Sequence, residues 1–256
     1  MKRFYRVDDH GQPRHAVEED GRWRRVEGDL FGRWQAGAEI PPLQAVTLPP
    51  VLPSKIVAIG LNYKDHAAEQ GKPLPAVPMI FLKPSTAVIG PGAPIVLPAG
   101  AGRVDHEAEV GVVIGRRARL VREADAAGYV LGFTCVNDVT ARELQAKDVQ
   151  YTRAKGFDTF APVGPCIAAG LDYHAPEGIA VEGWVNGERR QASSTARLIF
   201  PIDRLIAFVS SVMTLLPGDI ISTGTPAGIG RLAAGDRVMV KVAGVGELTN
   251  PVEAAP

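Results

Sequence analysis

Cysteine is scarce in this sequence, and neither sign of charge predominates. The 256 residues include only two cysteines, Cys135 and Cys166, so the chain has no disulfide framework and no cysteine spacing typical of a metal site. Cys135 lies in an apolar run and is expected in the core. Basic and acidic residues number 28 each, which gives a formal net charge of zero. This balance argues against nucleic acid or an anionic membrane surface as the main partner.

Long hydrophobic runs are also missing. The longest apolar helical pattern, residues 202–216, is interrupted by Ser210 and Ser211 and is too short to cross a bilayer. The basic start Met1-Lys2-Arg3 has no apolar segment behind it, so no signal peptide is predicted. We therefore expect a soluble, cytoplasmic protein.

The chain divides into two parts by composition. Residues 1–52 are rich in Arg, Asp and Gly, and closely spaced prolines between Pro41 and Pro53 predict a linker after a small N-terminal β extension. Residues 53–256 contain short strand patterns separated by Gly and Pro, with few helical patterns. Because strands and helices do not alternate as βαβ units, we predict an α+β fold, mainly β, with a rolled sheet and a few peripheral helices.

Three helices are predicted from local signals. The first covers about 62–70, with Asn62 as its N-cap and Gly71 as its stop. The second begins where Thr140 and Glu143 have the spacing of a capping box. The third covers 202–216, because its apolar residues repeat at helical intervals. They are Ile202, Leu205, Ile206, Val209, Val212, Met213 and Leu216.

Two glutamates within an apolar strand pattern are the most informative feature. In residues 107–115, Glu107 and Glu109 point to one face, and the alternating residues 108, 110, 112 and 114 are all apolar. A strand face exposed to water would be polar along its whole length, but the remainder of the glutamate face is not. Two adjacent carboxylates on a half-buried face repel each other, and a divalent cation resolves this conflict. The alternative is a solvated strand end.

A third ligand is required, and Asp138 is the natural candidate, since it ends another apolar strand pattern at 130–138. Hard oxygen ligands without a Cys or His cluster favour Mg²⁺, Mn²⁺ or Ca²⁺ over zinc.

Other polar residues suggest chemistry less specifically. His66 and Glu69 share one face of the first predicted helix, as in a general-base pair, although such pairs are also frequent on surfaces. This short helix, bounded by Gly71 and a proline-rich segment, suits a lid that orders over bound substrate. Lys155 alone would be expected as a solvated surface charge. The glycine-rich turn, residues 223–230, resembles a phosphate or carboxylate cradle, but it lacks the ending of a P-loop.

The collinear order of these motifs resembles the fumarylacetoacetate hydrolase family over about residues 55–253. The motifs that carry the resemblance are Asn62-Tyr63-Lys64-Asp65-His66-Ala67-Ala68-Glu69, Phe81-Leu82-Lys83-Pro84-Ser85, His106-Glu107-Ala108-Glu109-Val110-Gly111-Val112-Val113, Asn137-Asp138-Val139-Thr140-Ala141-Arg142, Lys155, Gly218-Asp219-Ile220-Ile221 and Thr223-Gly224-Thr225-Pro226. The N-terminal part matches the small extension of some bacterial members more loosely.

The resemblance implies a β-sandwich roll and a homodimer. It implies Mg²⁺ or Mn²⁺ held by Glu107, Glu109 and Asp138, with Ca²⁺ as a substitute in crystals. It assigns His66 and Glu69 as the dyad that activates water on a lid, and it places Lys155 near the reacting carbonyl. Substrate contacts are implied at Gln145, Thr225 and Arg142.

The activity implied is divalent-metal-dependent cleavage of 2-oxo acids that carry a second carbonyl, as in an acylpyruvate-type C–C bond hydrolase working through a stabilised enolate. The alternatives are 2-hydroxyhepta-2,4-diene-1,7-dioate isomerase, or decarboxylase action on 5-oxopent-3-ene-1,2,5-tricarboxylate or oxaloacetate, in aromatic-acid catabolism. One metal site supports all three reactions, and the fold does not choose among them. A remote alternative is a non-catalytic binding protein stabilised by its metal.

Overall fold

The computed structural model describes residues 1–9, 11–41 and 48–256. Its largest sheet contains eleven strands among these residues. The strands are β1 (Lys2–Asp9), β2 (Gln12–Glu19), β3 (Arg22–Gly28), β4 (Trp34–Ile40), β5 (Ile56–Gly60), β6 (Met79–Lys83), β7 (Val88–Ile89), β10 (Ala108–Ile114), β11 (Val130–Asn137), β13 (Ala161–Ala169) and β16 (Ile220–Ser222). Their order is β4-β3-β2-β1-β13-β11-β10-β16-β5-β6, and β7 pairs with β13 outside this path.

Two smaller sheets complete the β structure. The five-stranded sheet consists of β8 (Ile95–Leu97), β14 (Ala180–Val185), β15 (Glu188–Ser194), β18 (Arg237–Val242) and β19 (Gly246–Ala254). Its order is β15-β14-β18-β19-β8. The three-stranded sheet consists of β9 (Val104–His106), β12 (Thr140–Ala141) and β17 (Gly230–Arg231), in the order β12-β9-β17.

The α-helices are short. They are α1 (Lys64–Glu69), α2 (Arg142–Lys147), α3 (Thr152–Lys155) and α4 (Ile202–Val212), and single 3₁₀ segments cover Ser85–Ala87, Glu123–Tyr129 and Thr195–Arg197. The fold is therefore α+β and mainly β, as the sequence predicts. In the part of the chain that is described, no helix is long and apolar enough to cross a membrane.

Strand β10 is buried along its whole length, with packed side chains on both faces. Val110 and Val112 face a core shared with α4 and the five-stranded sheet. Val113 faces the opposite way, into a second core that includes Phe4 and Ile167. A strand covered on both sides is a rigid support for side chains placed at its end.

The N-terminal strands β1–β4 form an antiparallel meander that continues the large sheet, since β1 pairs with β13 from Lys2 opposite Ala169. The division of the chain after residue 52 stays a prediction. The predicted proline-rich linker falls partly on residues 42–47, which lie outside the described residues.

Both predicted side-chain caps are wrong. Helix α1 begins at Lys64 with Tyr63 as N-cap and no side-chain cap. The Asn62 amide instead donates to the carbonyl oxygens of Phe200 and Thr223, at 3.2 and 2.8 Å. Longer-range hydrogen bonds thus replace the local cap.

The second cap fails for a similar reason. Thr140 belongs to β12, and its hydroxyl donates to the Asp138 carbonyl at 2.8 Å. Helix α2 therefore begins only at Arg142. The Glu143 carboxylate accepts from the backbone N–H of Arg103 at 3.1 Å.

The third predicted helix is shorter than expected. α4 ends at Val212, and the side chains of Val212 and Leu216 are exposed. The first four residues of the predicted stripe are buried as expected: Ile202, Leu205, Ile206 and Val209.

Candidate metal and catalytic site

Three carboxylates meet where β10 begins and β11 ends. These strands are antiparallel, with Ala108 opposite Asn137, so the residues that flank this pair come together. The Asp138 N–H donates to the Glu107 carbonyl at 2.9 Å. One carboxylate oxygen from each of Glu107, Glu109 and Asp138 lies within 4.8 Å of the others. The structure thus brings together the three predicted ligands, which we call the acidic triad.

The acidic triad is buried, which contradicts the alternative of a solvated strand end. Glu107 is 5% exposed, and Glu109 and Asp138 are each 1% exposed. Burial of three carboxylates without compensation would be strongly unfavourable. Three basic side chains supply that compensation here.

The basic side chains bind the triad directly. Lys155 Nζ donates to Glu107 Oε2 at 2.7 Å and to Asp138 Oδ2 at 2.5 Å. Lys83 Nζ donates to the other oxygen of Asp138 at 2.6 Å, and Arg142 Nη2 donates to Glu107 Oε1 at 2.6 Å. Lys155 is buried, so the expectation of a solvated surface charge is wrong.

The two glutamates have opposite pKa shifts. Burial alone would raise the pKa of Glu107, but the adjacent charges of Lys155 and Arg142 lower that pKa to about 2. Burial, together with the like charges of Asp138 and Glu107, raises the pKa of Glu109 to about 8. Glu109 is therefore the carboxyl of the triad that most lacks a positive partner.

The surroundings of Glu109 fit a cation. Its Oε2 accepts hydrogen bonds from the Ser222 hydroxyl at 2.5 Å and the Gly224 N–H at 2.9 Å. Its Oε1 is the one oxygen of the triad that accepts no hydrogen bond from the described residues. An unpartnered oxygen, a raised pKa and an all-oxygen donor set match a hard divalent cation.

The predicted dyad is also assembled. His66 Nδ1 lies 2.9 Å from Glu69 Oε2, and Glu69 Oε1 accepts from the Gly228 N–H at 3.0 Å. Because a carboxylate only accepts, the proton of a neutral imidazole resides on Nδ1 and the lone pair on Nε2. The His66 side chain is buried, whereas Glu69 is exposed. His66 is therefore oriented as a base.

The glycine-rich turn binds the protein's own carboxylates. Its Gly224 N–H contacts Glu109 and its Gly228 N–H contacts Glu69, so one turn connects the acidic triad to the dyad. Gly228 has a φ of 96°, and a Cβ here would lie 2.0 Å from the Arg190 carbonyl oxygen. Glycine is required at that position.

All three residues predicted to contact substrate already have protein partners. Arg142 Nε donates to Asp105 at 3.0 Å and Nη1 donates to Gln145 Oε1 at 2.6 Å, in addition to its bond with Glu107. These bonds fix the guanidinium beside Glu107, at the wall of the cavity. They leave the Gln145 amide N–H group available.

The hydroxyl of Thr225, the remaining predicted substrate contact, is held by the protein. Its hydroxyl donates to the Ala108 carbonyl at 3.0 Å and lies 2.7 Å from the donating amide of Gln191. The hydroxyl proton is thus committed to the protein. A contact between Thr225 and a substrate would have to use another group of this residue.

A single cavity of about 300 Å³ joins the predicted groups. Glu107, Glu109 and Lys155 line it, together with His66 and Thr225. Apolar walls come from the side chains of Met79, Phe81 and Tyr151. Asp138 lies behind this lining.

Lys83 is the site residue that sequence reasoning missed. It ends the strand β6, is fully buried, and contacts Asp138. Burial lowers the pKa of Lys83, and the charge of Asp138 acts in the opposite direction. A lysine after the apolar run 79–82 was the available signal, since burial of such a residue requires an acidic partner.

Comparison with known proteins agrees with this geometry. Residues 55–253 match the family model described as Fumarylacetoacetate (FAA) hydrolase C-terminal. A protein of Archaeoglobus fulgidus is 54% identical over 214 residues, which cover 84% of each chain.

Solved structures are similar over the whole chain. The 2-hydroxyhepta-2,4-diene-1,7-dioate isomerase from Mycobacterium marinum is 40% identical, with a TM-score of 0.90 and 99% of both chains covered. Fumarylacetoacetate hydrolase from Exiguobacterium antarcticum is 31% identical, with a TM-score of 0.87 and full coverage of both chains. The chain belongs to the fumarylacetoacetate hydrolase family.

Proposed function

We propose that this protein is a divalent-metal-dependent enzyme that cleaves a C–C bond in 2-oxo acids carrying a second carbonyl, as an acylpyruvate-type hydrolase. The observation that carries the proposal is that two carboxylates of the acidic triad, those of Glu107 and Glu109, line the same cavity as the imidazole of His66. A metal site alone would serve several reactions. A base oriented toward the same space supports the addition of water.

The acidic triad would hold Mg²⁺ or Mn²⁺, which supplies Lewis-acid stabilisation of negative charge on the 2-oxo acid when it is bound. Lys155 lies between Glu107 and Asp138, and its pKa is raised by the surrounding carboxylates despite the opposing effect of burial. It therefore stays an ammonium in this cavity. A fixed positive charge at this point would stabilise an oxyanion on the distal carbonyl.

The dyad would activate water. His66 Nε2 takes a proton from water while the water oxygen bonds to the distal carbonyl carbon. The C–C bond toward the pyruvyl carbon then breaks, and its electron pair forms an enolate. The proton on His66 returns to that carbon, so the products are pyruvate and a carboxylic acid. Glu69 keeps the imidazole in the required tautomer throughout.

The test is turnover of acetylpyruvate by metal-stripped protein, before and after Mg²⁺ or Mn²⁺ is restored. We expect pyruvate release only with metal, together with loss of the ultraviolet absorbance of the enol. Tight metal binding without pyruvate release would contradict the hydrolase proposal.

An isomerase is the second candidate, because the M. marinum isomerase is more identical to this chain than the E. antarcticum hydrolase. Isomerisation requires only proton movement on the enolate. A product of unchanged mass would identify it, whereas CO₂ release would indicate a decarboxylase. The implied homodimer stays a prediction.

A further inference from the structure

Gln70 contacts the proposed base from the side opposite Glu69. Its Nε2 lies 2.8 Å from His66 Nε2. Gln70 is the first residue after α1, is half-buried, and lines the same cavity as Glu107 and Glu109 of the acidic triad. The contact therefore lies inside the proposed active site.

The direction of this hydrogen bond follows from the partners of the dyad. Nδ1 of His66 must donate to Glu69, whose other oxygen is held by Gly228. In the neutral imidazole, Nε2 is then an acceptor. The amide group of Gln70 must present an N–H to it, because its carbonyl oxygen would face a lone pair. Gln70 thus occupies the lone pair that water would need.

The Gln70 side chain can rotate away from His66 without disturbing the fold. Its backbone N–H remains bonded to the His66 carbonyl at 3.1 Å. Across the described residues, its side chain makes no hydrogen bond except the one to His66. Rotation of the side chain would therefore break one hydrogen bond and expose the base.

A second polar group lies nearby on the same wall. Lys72 lines the cavity and is exposed, and it has no acidic partner in the described parts of the chain. Its backbone N–H donates to the Ala67 carbonyl at 3.0 Å, which ties it to α1. An anionic group attracted to Lys72 would come close to the Gln70 amide.

We propose that Gln70 is a positioning residue that covers the His66 base until an acceptor group at the distal end of the substrate draws the amide away. This inference rests on the proposed hydrolase function. It makes the rate of water addition depend on the far end of the substrate. Acylpyruvates with a terminal carboxylate would release the base, whereas acetylpyruvate would have to displace the Gln70 amide without that help and would turn over about fivefold more slowly.

The hydrogen bond between the Gln70 amide and His66 Nε2 is tested without turnover, by ¹⁵N NMR of histidine-labelled protein in the absence of substrate. Hydrogen bonding to its lone pair shields an unprotonated imidazole nitrogen. We expect the His66 Nε2 resonance to move downfield in Gln70→Ala and in Gln70→Asn, whose shorter side chain does not reach. Gln12→Ala on the remote strand β2 is the matched control. An unmoved resonance in both Gln70 variants would overturn the proposal.

The dependence of turnover on the distal end of the substrate is tested by comparing kcat for succinylpyruvate with kcat for acetylpyruvate. Loss of one hydrogen bond changes a rate or an equilibrium constant about fivefold. The ratio of kcat for succinylpyruvate to kcat for acetylpyruvate should therefore fall about fivefold in Gln70→Ala, mainly through faster turnover of acetylpyruvate. Lys72→Ala should instead raise KM for succinylpyruvate. An equal decrease for both substrates in Gln70→Ala would overturn the proposal. If the wild-type protein cleaves neither substrate, the hydrolase proposal fails, and the NMR measurement alone decides the role of Gln70.

Discussion

The ammonium of Lys155 lies 2.5 Å from Asp138, a carboxylate that also belongs to the acidic triad. The same ammonium donates to Glu107 at 2.7 Å. A lysine that bridges two predicted metal ligands neutralises part of the charge that would attract a cation. We therefore expect Lys155 to have two opposing effects, since it would weaken cation binding while offering a positive charge to the proposed reaction.

We predict that Lys155→Met strengthens Mg²⁺ binding and weakens catalysis. Removal of one positive charge beside two ligands should increase affinity roughly tenfold, because charges at this distance interact by several kcal/mol even when partly screened. Loss of an oxyanion-stabilising donor should lower kcat by about 10²–10³-fold. Calorimetric titration and pyruvate release measure the two effects separately.

Lys155→Arg is the matched control for charge, because it keeps the positive charge and changes its shape. Its Mg²⁺ affinity should stay near that of the wild-type protein. If Lys155→Met bound Mg²⁺ more weakly than wild type, the proposed competition between ammonium and cation would be wrong.

The dyad makes a prediction about reaction type. His66→Ala should lower hydrolysis by about 10²–10⁴-fold, the usual contribution of a general base. Glu69→Gln should also lower it, since an amide no longer enforces the Nδ1–H tautomer. Decarboxylation of oxaloacetate, which needs no water activation, should be retained by both variants if the protein catalyses it at all. Full hydrolysis by His66→Ala would exclude the dyad as the base.

The acidic triad could be predicted from the sequence, because a local strand pattern and the cost of burying charge point to the same residues. Glu107 and Glu109 stand out because an apolar strand can bury adjacent carboxylates only with a cation or a strong positive partner. The three carboxylates of the acidic triad do lie together, and cation binding by them stays a prediction. The positions of both lysines depend on long-range packing that no local pattern contains.

Lys83 illustrates this limit. It is 55 residues from Asp138 in the chain, and its burial is evident only once β6 is placed. The prediction of Asn62 as an N-cap is wrong for the same reason, because its hydrogen-bond partners Phe200 and Thr223 are 138 and 161 residues away in the chain. Local propensity predicts the existence of these elements, and tertiary hydrogen bonds decide where they begin.

The raised pKa of Glu109, about 8, predicts that metal binding releases a proton. Below pH 8 the folded, metal-free protein retains a proton on Glu109, whereas the unfolded chain loses it near the ordinary value of 4.5. The free energy of unfolding of the metal-free protein should therefore fall as pH rises from about 4.5 to 8. Mg²⁺ affinity should rise over pH 6–8 by up to about tenfold per unit.

Calorimetry in buffers of different ionisation enthalpy measures this proton release, which should approach one per Mg²⁺ at pH 7 and vanish well above pH 8. Ser222→Ala provides the comparison. The Ser222 hydroxyl bonds to the ionised carboxylate and so lowers the pKa of Glu109, and its removal should move the transition to higher pH. Affinity independent of pH between 6 and 8 would show that Glu109 is already ionised.

Asn62 makes a prediction that separates stability from activity. Its buried amide donates to two carbonyls and accepts from the Phe200 N–H at 2.8 Å, which holds the chain just before α1 against the end of β16. Asn62→Ala would leave these groups unpaired and should lower the free energy of unfolding by about 2 kcal/mol. For a chain of this size, that corresponds to about 4–8 °C in Tm.

Asn250→Ala is the matched control, since the buried Asn250 amide likewise donates to two carbonyls, those of Gly90 and Ala93. Both variants should have a lower Tm by calorimetry. At 25 °C only Asn62→Ala should lose hydrolytic activity, because only Asn62 positions the helix that carries His66. Equal loss of activity in both variants would show that general destabilisation, and not the placement of α1, limits catalysis.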